Sequence, residues 1–132
     1  MSEKDKILIE SAISARENAH APFSNFKVGA ALLTETGEII TGCNIENATY
    51  GLTLCAERVA IFKAISEGKN KFEKIAVVAD TEKLTPPCGA CRQIIWEFCG
   101  DVEVVLGNLD GATEIFQMNK LFPNAFDGTF LE

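Results

Sequence analysis

The sequence has a single histidine and no long apolar stretch. That histidine, His20, directly precedes Ala21-Pro22, a position typical of a surface or helix-end residue, so the sequence does not favour it as a metal ligand. There is no run of about 20 apolar residues and no hydrophobic signal region, so we expect no membrane partner and a cytoplasmic location. Repeats, low-complexity tracts and Pro/Gly-rich linkers are also absent, and we expect residues 1–132 to form a single domain.

Basic residues are too few and too scattered to form a nucleic-acid surface. Twelve Lys and Arg stand against nineteen Asp and Glu, and the formal net charge is −7. A protein that binds a phosphate backbone needs a clustered basic patch. The composition therefore disfavours nucleic acid as a partner.

Five cysteines are present, and their spacing suits a metal better than disulfides in a reducing compartment. The segments Cys55-Ala56-Glu57 and Pro87-Cys88-Gly89-Ala90-Cys91 supply three thiolates and one carboxylate. Three protein ligands leave tetrahedral Zn²⁺ with one open position, where the pKa of a water molecule falls to about 7. The pattern predicts a hydrolytic zinc centre, one ion per chain, held by Cys55, Cys88 and Cys91.

Apolar periodicity predicts an α/β fold of alternating helices and strands. The predicted helices run from the capping box at Ser2 to about 18, from 55 to about 67, and from 88 or 89 to a stop at Gly100. The predicted strands are 26–33, 38–45, 74–80, 102–106 and 113–116. This order predicts a three-layer α/β/α sandwich with a mixed five-stranded sheet. In the second helix, the expected apolar stripe consists of Val59, Phe62 and Ile65, widened by Ala60 and Ile61.

Two of the cysteines fall at or near helix starts. Free N–H groups and the macrodipole at a helix N-terminus stabilise anions, so the thiols of Cys55 and Cys88 should ionise easily. Three thiolates around Zn²⁺ give a formal charge of −1, and a nearby cation offsets it. Arg58 or Arg92 could donate hydrogen bonds to the sulfurs, and Arg58 is favoured because it follows Glu57 directly.

Four segments of the chain together resemble a known enzyme family. They are residues 21–31, Asn44-Ile45-Glu46-Asn47, Cys55-Ala56-Glu57-Arg58 and Pro87-Cys88-Gly89-Ala90-Cys91-Arg92-Gln93. They resemble the short, three-cysteine, homotetrameric cytidine deaminases, and the resemblance covers about 12–126. The motif is a three-cysteine form of the zinc-deaminase signature H-x-E…P-C-x-x-C. Cysteine in place of histidine at position 55 points away from tRNA, deoxycytidylate and polynucleotide deaminases.

The resemblance implies an activity and a set of residue roles. The implied reaction hydrolyses cytidine and 2′-deoxycytidine to uridine and 2′-deoxyuridine with release of ammonia, in pyrimidine salvage. Glu57 is implied to carry protons between water, the ring nitrogen and the leaving amine. The implied nucleoside contacts are Phe26, Asn44, Glu46, Ala56 and Phe126. Phe126 is implied to reach a neighbouring subunit's site, which makes the expected enzyme a homotetramer with shared active sites.

The same cysteines and carboxylate are compatible with three other functions. A structural zinc module would recruit Cys43 or Cys99 as a fourth ligand, but it leaves Glu57 unexplained. A redox dithiol protein would use Cys88 and Cys91 without metal, but it leaves Cys55 unexplained. A deaminase for another aminated ring, such as an aminopyrimidine antibiotic or a guanine-type base, would have a similar metal site. The segment 44–47 argues instead for a ribosyl pyrimidine.

Overall fold

The structure, a computed structural model, describes residues 1–131. Its helices are α1 (Glu3–Arg16), α2 (Ala56–Ser66), α3 (Gly89–Cys99) and α4 (Met118–Leu121). Its strands are β1 (Val28–Thr34), β2 (Ile39–Cys43), β3 (Phe72–Ala79), β4 (Glu103–Gly107) and β5 (Thr113–Gln117). Short 3₁₀ turns cover Tyr50–Leu52 and Gly128–Leu131. The predicted order from α1 to β5 is confirmed, whereas the single turn of α4 was not predicted.

The five strands form one mixed sheet in the order β2-β1-β3-β4-β5. β3 and β4 are parallel, as expected for strands joined through α3, and the other neighbours are antiparallel. β3 lies in the middle, where both faces are covered, and every residue from 74 to 79 is buried. This explains the nearly continuous apolar character of that strand.

Helices cover both faces of the sheet, which confirms the predicted three layers. α1 buries one face in a cluster made of Leu8, Ile9, Ala12, Ala31, Leu33, Ala76, Val78 and Val105. α2 and α3 bury the other face, where the cluster includes Ala60, Ile61, Ile95, Leu32, Ile75, Val77 and Val104. Neighbouring residues of β3 alternate between the two clusters, as the period of two of a strand requires.

The carboxyl ends of β2 and β3 lie at the same end of the sheet. Cys43 pairs with Gly29, and Gly29 pairs with Val78 on the other side, so β2 and β3 end at the same level on either side of β1. Because β1 is antiparallel to both, β2 and β3 run in the same direction. The chain therefore leaves both strands at this end of the sheet and continues from β2 to α2 and from β3 to α3.

A close backbone contact fixes α2 on the sheet. A Cβ atom at Gly42 of β2 would lie 2.5 Å from the Ala60 nitrogen and 2.6 Å from the Ala56 oxygen. Only glycine allows this approach. The helix correspondingly turns its small residues Ala56, Ala60 and Ala64 inward, and all three are fully buried.

The predicted apolar stripe of α2 is confirmed for Ala60 and Ile61, which are fully buried, but not for its centre at Val59, Phe62 and Ile65. Phe62 is 39% exposed, and Val59 and Ile65 are only half buried, because the inner face leaves no room for large side chains. Ile61 is the large residue of this helix that enters the core.

The start of α1 agrees with its predicted capping box. The Ser2 hydroxyl accepts a hydrogen bond from the Asp5 N–H at 3.2 Å, and Asp5 Oδ2 accepts one from the Ser2 N–H at 3.1 Å. The helix ends at Arg16, two residues before the predicted end. Within residues 1–131, no helix combines the length and apolar character needed to cross a membrane.

A buried ion pair joins α1 to the central strand. Lys74 Nζ lies 2.7 Å from Asp5 Oδ1 and 3.0 Å from a Glu103 carboxylate oxygen. Burial raises the pKa of Asp5, but hydrogen bonds from Lys74 and Ser2 outweigh it and hold the pKa below its usual value. The charged form of Asp5 therefore stabilises the attachment of α1.

Asp5→Ala should lower the free energy of unfolding by about 3 kcal/mol at pH 7, because it leaves the Lys74 ammonium buried with one partner. Urea denaturation at one fixed protein concentration measures this loss. A carboxylate with a depressed folded pKa stabilises above its unfolded pKa, so the difference from wild type should shrink below about pH 4. Glu73→Ala is the control, since its pair with Lys4 is exposed and should contribute less than about 1 kcal/mol. Equal losses in the two variants would contradict the role of Asp5.

Candidate metal centre and active site

Three thiols converge where α2 and α3 begin. Cys55 is the N-cap of α2, Cys88 is the N-cap of α3, and Cys91 lies in the first turn of α3. Neither N-cap thiol makes a capping hydrogen bond to its helix, so both sulfurs are free for other contacts. Cys91 is completely buried on the inner side of α3. The three Sγ atoms lie within 4.8 Å of one another.

This donor set fits a zinc ion. Three sulfurs at the usual Zn–S distance in a tetrahedral site are about 3.8 Å apart, within the observed spacing. In the described part of the chain these three residues are the only such ligand group, and Cys43 and Cys99 do not join it. A site with three thiolates and no fourth side chain matches catalytic rather than structural zinc. The closed structural site considered from the sequence therefore has no support.

A guanidinium lies against the thiols. Arg58 Nη2 donates to Cys55 Sγ at 3.1 Å, whereas Arg92 binds elsewhere. Arg92 Nε donates to the Pro87 carbonyl at 2.8 Å, and its Nη1 donates to the Leu121 carbonyl at 2.6 Å. Arg92 thus fixes the backbone just before Cys88, a role that the sequence analysis missed.

The pKa values of two thiols of the cluster, Cys55 and Cys91, are shifted in opposite directions. A hydrogen bond from the Cys91 thiol, helped by Arg58, lowers the pKa of Cys55 to about 5. The same hydrogen bond, together with burial, raises the pKa of Cys91. Arg58 Nε is buried and has no acceptor within residues 1–131. A cation with a spare buried N–H is suited to a site with more than one thiolate.

Glu57 is a buried carboxyl group beside these thiols. It lies in the first turn of α2 and is 4% exposed. Burial, reinforced by the negative charge of Cys55, raises the pKa of Glu57 to about 7. A carboxyl group that titrates near neutral pH can both accept and donate a proton there.

The metal group opens into a mostly apolar pocket. Its lining includes Phe26, Asn44, Ala56, Glu57 and Cys88, together with Cys55. A concave apolar site with a few polar groups is typical of a small-molecule site. The position, beyond the carboxyl ends of β2 and β3, is where α/β sheets commonly bind ligands.

Asn44 and Glu46, which the sequence groups together, lie in adjoining cavities. Asn44 lines the metal pocket, and its side chain binds the backbone, from Nδ2 to the Phe26 carbonyl at 2.8 Å and from the Val28 N–H to Oδ1 at 2.9 Å. Glu46 lines the adjoining cavity. Thr53 borders both cavities, so the two are contiguous.

The cavity around Glu46 contains residues that the sequence analysis did not select. They are Phe23, Ser24, Tyr50 and Thr53. The hydroxyl of Ser24 contacts the Glu46 carboxylate, and it lowers the pKa of Glu46. The Ala21-Pro22-Phe23-Ser24 turn was a visible signal in the sequence, but nothing in it identified the partner.

Phe126 is not part of this pocket in its own chain. Its ring is 55% exposed and stacks on Phe130 with a centroid distance of 5.5 Å. Its carbonyl accepts a hydrogen bond from Gln93 Nε2 at 2.9 Å. The next contact along the segment is from Trp96 Nε1 to Asp127 Oδ2 at 3.1 Å. Residues of α3 therefore hold the C-terminal segment in place.

The chain is similar to known proteins over most of its length. A family model described as "Cytidine and deoxycytidylate deaminase zinc-binding region" matches residues 2–108. The cytidine deaminase of Halalkalibacterium halodurans is 56% identical over 122 residues, which cover 92% of each chain. The chain belongs to the cytidine deaminase family.

The chain is also similar to a solved structure and to a relative with a different name. The crystal structure of cytidine deaminase from Burkholderia pseudomallei matches with a TM-score of 0.90 and 49% identity, covering 96% of this chain and 100% of that one. A blasticidin-S deaminase of Bacillus cereus is 33% identical over 136 residues, covering 93% of this chain and 92% of that protein. The cytidine deaminase fold thus accounts for nearly the whole chain.

Cys91→Ser should weaken metal binding more than about 100-fold, because a hydroxyl is a poor substitute for a thiolate ligand. Titration of the metal-free protein with Co²⁺ follows this through the thiolate-to-cobalt absorption band. Wild-type protein should saturate at one equivalent. Cys43→Ser should titrate like wild type, since that thiol lies outside the group. An unchanged cobalt spectrum in Cys91→Ser would rule out the three-thiol site.

Proposed function

We propose that this single domain hydrolyses cytidine and 2′-deoxycytidine to uridine and 2′-deoxyuridine, with release of ammonia, in pyrimidine salvage. The observation that carries the proposal is Glu57, buried beside three thiols at the base of a pocket bordered by Phe26 and Asn44. The close relatives named cytidine deaminase support the same reaction.

The chemistry divides between the metal and one carboxylate. Zn²⁺ held by Cys55, Cys88 and Cys91 supplies Lewis acidity that makes a water molecule a nucleophile near neutral pH. Glu57 accepts a proton from the attacking water and delivers it to the ring nitrogen beside carbon-4, which makes that carbon electrophilic. It then takes the second proton of that water from the hydroxyl now bonded to carbon-4 and delivers it to the amino group. The carbon–nitrogen bond breaks, ammonia leaves, and the carbon-4 carbonyl of the product forms. The raised pKa of Glu57 suits both directions of transfer.

The nucleoside contacts are assigned to residues around the two adjoining cavities. Phe26 and Ala56 border the base, and Asn44 and Glu46 bind the sugar hydroxyls. The Asn44 amide retains one N–H and one lone pair after its two backbone bonds. Glu46 stays ionised because hydrogen bonds hold its pKa below the usual value. A fixed negative charge repels a 5′-phosphate and favours nucleosides over nucleotides.

The quaternary structure we propose is a homotetramer with shared active sites. Large apolar side chains remain exposed on the single chain, among them Phe23, Tyr50, Leu52, Phe62, Phe98 and Phe126. Burying such a set needs a partner surface. Phe126, which is exposed and does not line the pocket of its own chain, is assigned to a neighbouring chain's site.

The location we propose is the cytoplasm. All five cysteines are free thiols, and three of them make up the metal group. A compartment that keeps thiols reduced preserves these ligands, whereas an oxidising one would cross-link them.

Deamination of another ring is the second candidate, and the blasticidin-S deaminase relative favours it. Absorbance assays with cytidine, cytosine, CMP, guanine and blasticidin S separate the candidates. The proposal expects loss of cytidine absorbance that stops after zinc is removed by a strong chelator. Turnover of blasticidin S or guanine without turnover of cytidine would overturn it.

Glu57→Gln should bind one zinc per chain and lose at least about 10²–10⁴-fold in kcat, since an amide cannot carry the protons. Elemental analysis and the cytidine assay measure the two properties on one sample. Glu67→Gln, at the exposed far end of the same helix, is the matched control and should keep full activity. Undiminished turnover by Glu57→Gln would remove the proposed acid and base.

Phe126→Ala should raise KM for cytidine if the ring serves a neighbouring chain. Hybrids formed by co-expressing Phe126→Ala with Glu57→Gln contain sites with one intact copy of each residue. At low cytidine these hybrids should turn over more substrate than the two variants assayed apart. Leu131→Ala, exposed on the same segment, should behave like wild type. Activity no greater than the sum of the separate variants would show that Phe126 does not act between chains.

A further inference from the structure

Two segments that border the substrate cavities are joined by a closed hydrogen-bond network. The His20 N–H donates to the Asn44 carbonyl at 3.0 Å, and the Glu46 N–H donates to the His20 carbonyl at 2.8 Å. At the other end of the network, the Asn44 side-chain amide donates to the Phe26 carbonyl. Residues 20–26 and 44–46 are therefore held in one register by backbone hydrogen bonds at one end and by the Asn44 side chain at the other.

Ser24 lies at the centre of this network, where its hydroxyl has two partners. Ser24 Oγ accepts from the Phe26 N–H at 3.0 Å and donates to Glu46 Oε2. An ionised carboxylate can only accept, so the single hydroxyl proton of Ser24 must point to Glu46. The Phe26 amide occupies one of the two lone pairs of the serine oxygen, and together with Glu46 it orients the hydroxyl.

The opposite oxygen of the carboxylate is also occupied. Glu46 Oε1 accepts from the Phe23 N–H at 2.9 Å and from the Ser24 N–H at 3.2 Å. An ionised carboxylate has about four acceptor positions, and three of them are used. The one left is on Oε2, the oxygen that Ser24 binds, and Glu46 borders the cavity shared with Tyr50 and Thr53.

We propose that Ser24 is a positioning residue that leaves Glu46 a single acceptor site, aimed at one hydroxyl of the substrate's sugar. This inference rests on the proposed function, because it names how the sugar is selected at that site. Without the Ser24 hydroxyl, the Oε2 atom gains a second open acceptor position and loses its fixed orientation. Charge-assisted hydrogen bonds to a sugar hydroxyl depend on that orientation.

The test compares two substrates in one variant. Ser24→Ala should lower kcat/KM for cytidine about 10- to 100-fold, mainly through KM, because a charge-assisted hydrogen bond is disturbed. 2′,3′-Dideoxycytidine keeps the 5′-hydroxyl but lacks the 2′- and 3′-hydroxyls, one of which Glu46 is proposed to bind. With this substrate the same change should cost less than about 3-fold. Equal losses on both substrates, or no loss on either, would overturn the inference.

Controls separate this outcome from damage to the fold. Ser24→Thr retains the hydroxyl and should restore activity on cytidine, and Ser14→Ala, an exposed serine on α1, should match wild type. If Ser24→Ala does not fold, Ser24→Cys, which keeps only a weak donor, should show the same substrate dependence. A wild-type protein inactive on both nucleosides would overturn the proposed function itself. An active wild type with equal losses would overturn the role of Ser24 alone.

Discussion

Two helices that begin at one edge of the sheet bring the reactive groups together, and the site depends on this placement. β2 and β3 run in the same direction and end at the same level on either side of β1, so α2 and α3 begin close to each other. Cysteines at both helix starts then meet without any long connection. The same geometry places Arg58 of α2 against Cys55, whose pKa is lowered by the Cys91 thiol and by Arg58. Glu57 is buried against them because it lies in the first turn of α2.

Close packing beneath the site keeps this placement fixed. Gly42 allows the alanine face of α2 to lie directly on the strand, and Ile61 alone among the large residues of α2 enters the core. Arg58 and Arg92 then act on different parts of the centre, one on a sulfur and the other on the backbone before Cys88. The metal ligands are thus supported by packing below and by hydrogen bonds at the side.

Much of the fold was predictable because local signals agreed with the tertiary structure. The Ser2 capping box, the apolar run of β3 and the stop at Gly100 each mark an element that the structure contains. The inner face of α2 was predicted only at Ala60 and Ile61, because the packing distance to Gly42, rather than helical periodicity, selects that face. The placement of Asn44 and Glu46 in adjoining cavities could not be predicted, since it depends on residues 23–28, which lie 16 to 23 positions away and bind the two side chains differently.

Arg92 joins two regions that are distant in the sequence. One nitrogen binds the carbonyl before Cys88, and another binds the carbonyl of Leu121, where the C-terminal segment begins. Gln93 and Trp96 continue the attachment along that segment. Displacement of the C-terminal segment would therefore displace the backbone just before Cys88, and disorder of that backbone would free the C-terminal segment. The length of the C-terminal segment is consequently coupled to the metal group, although the segment contributes no thiol.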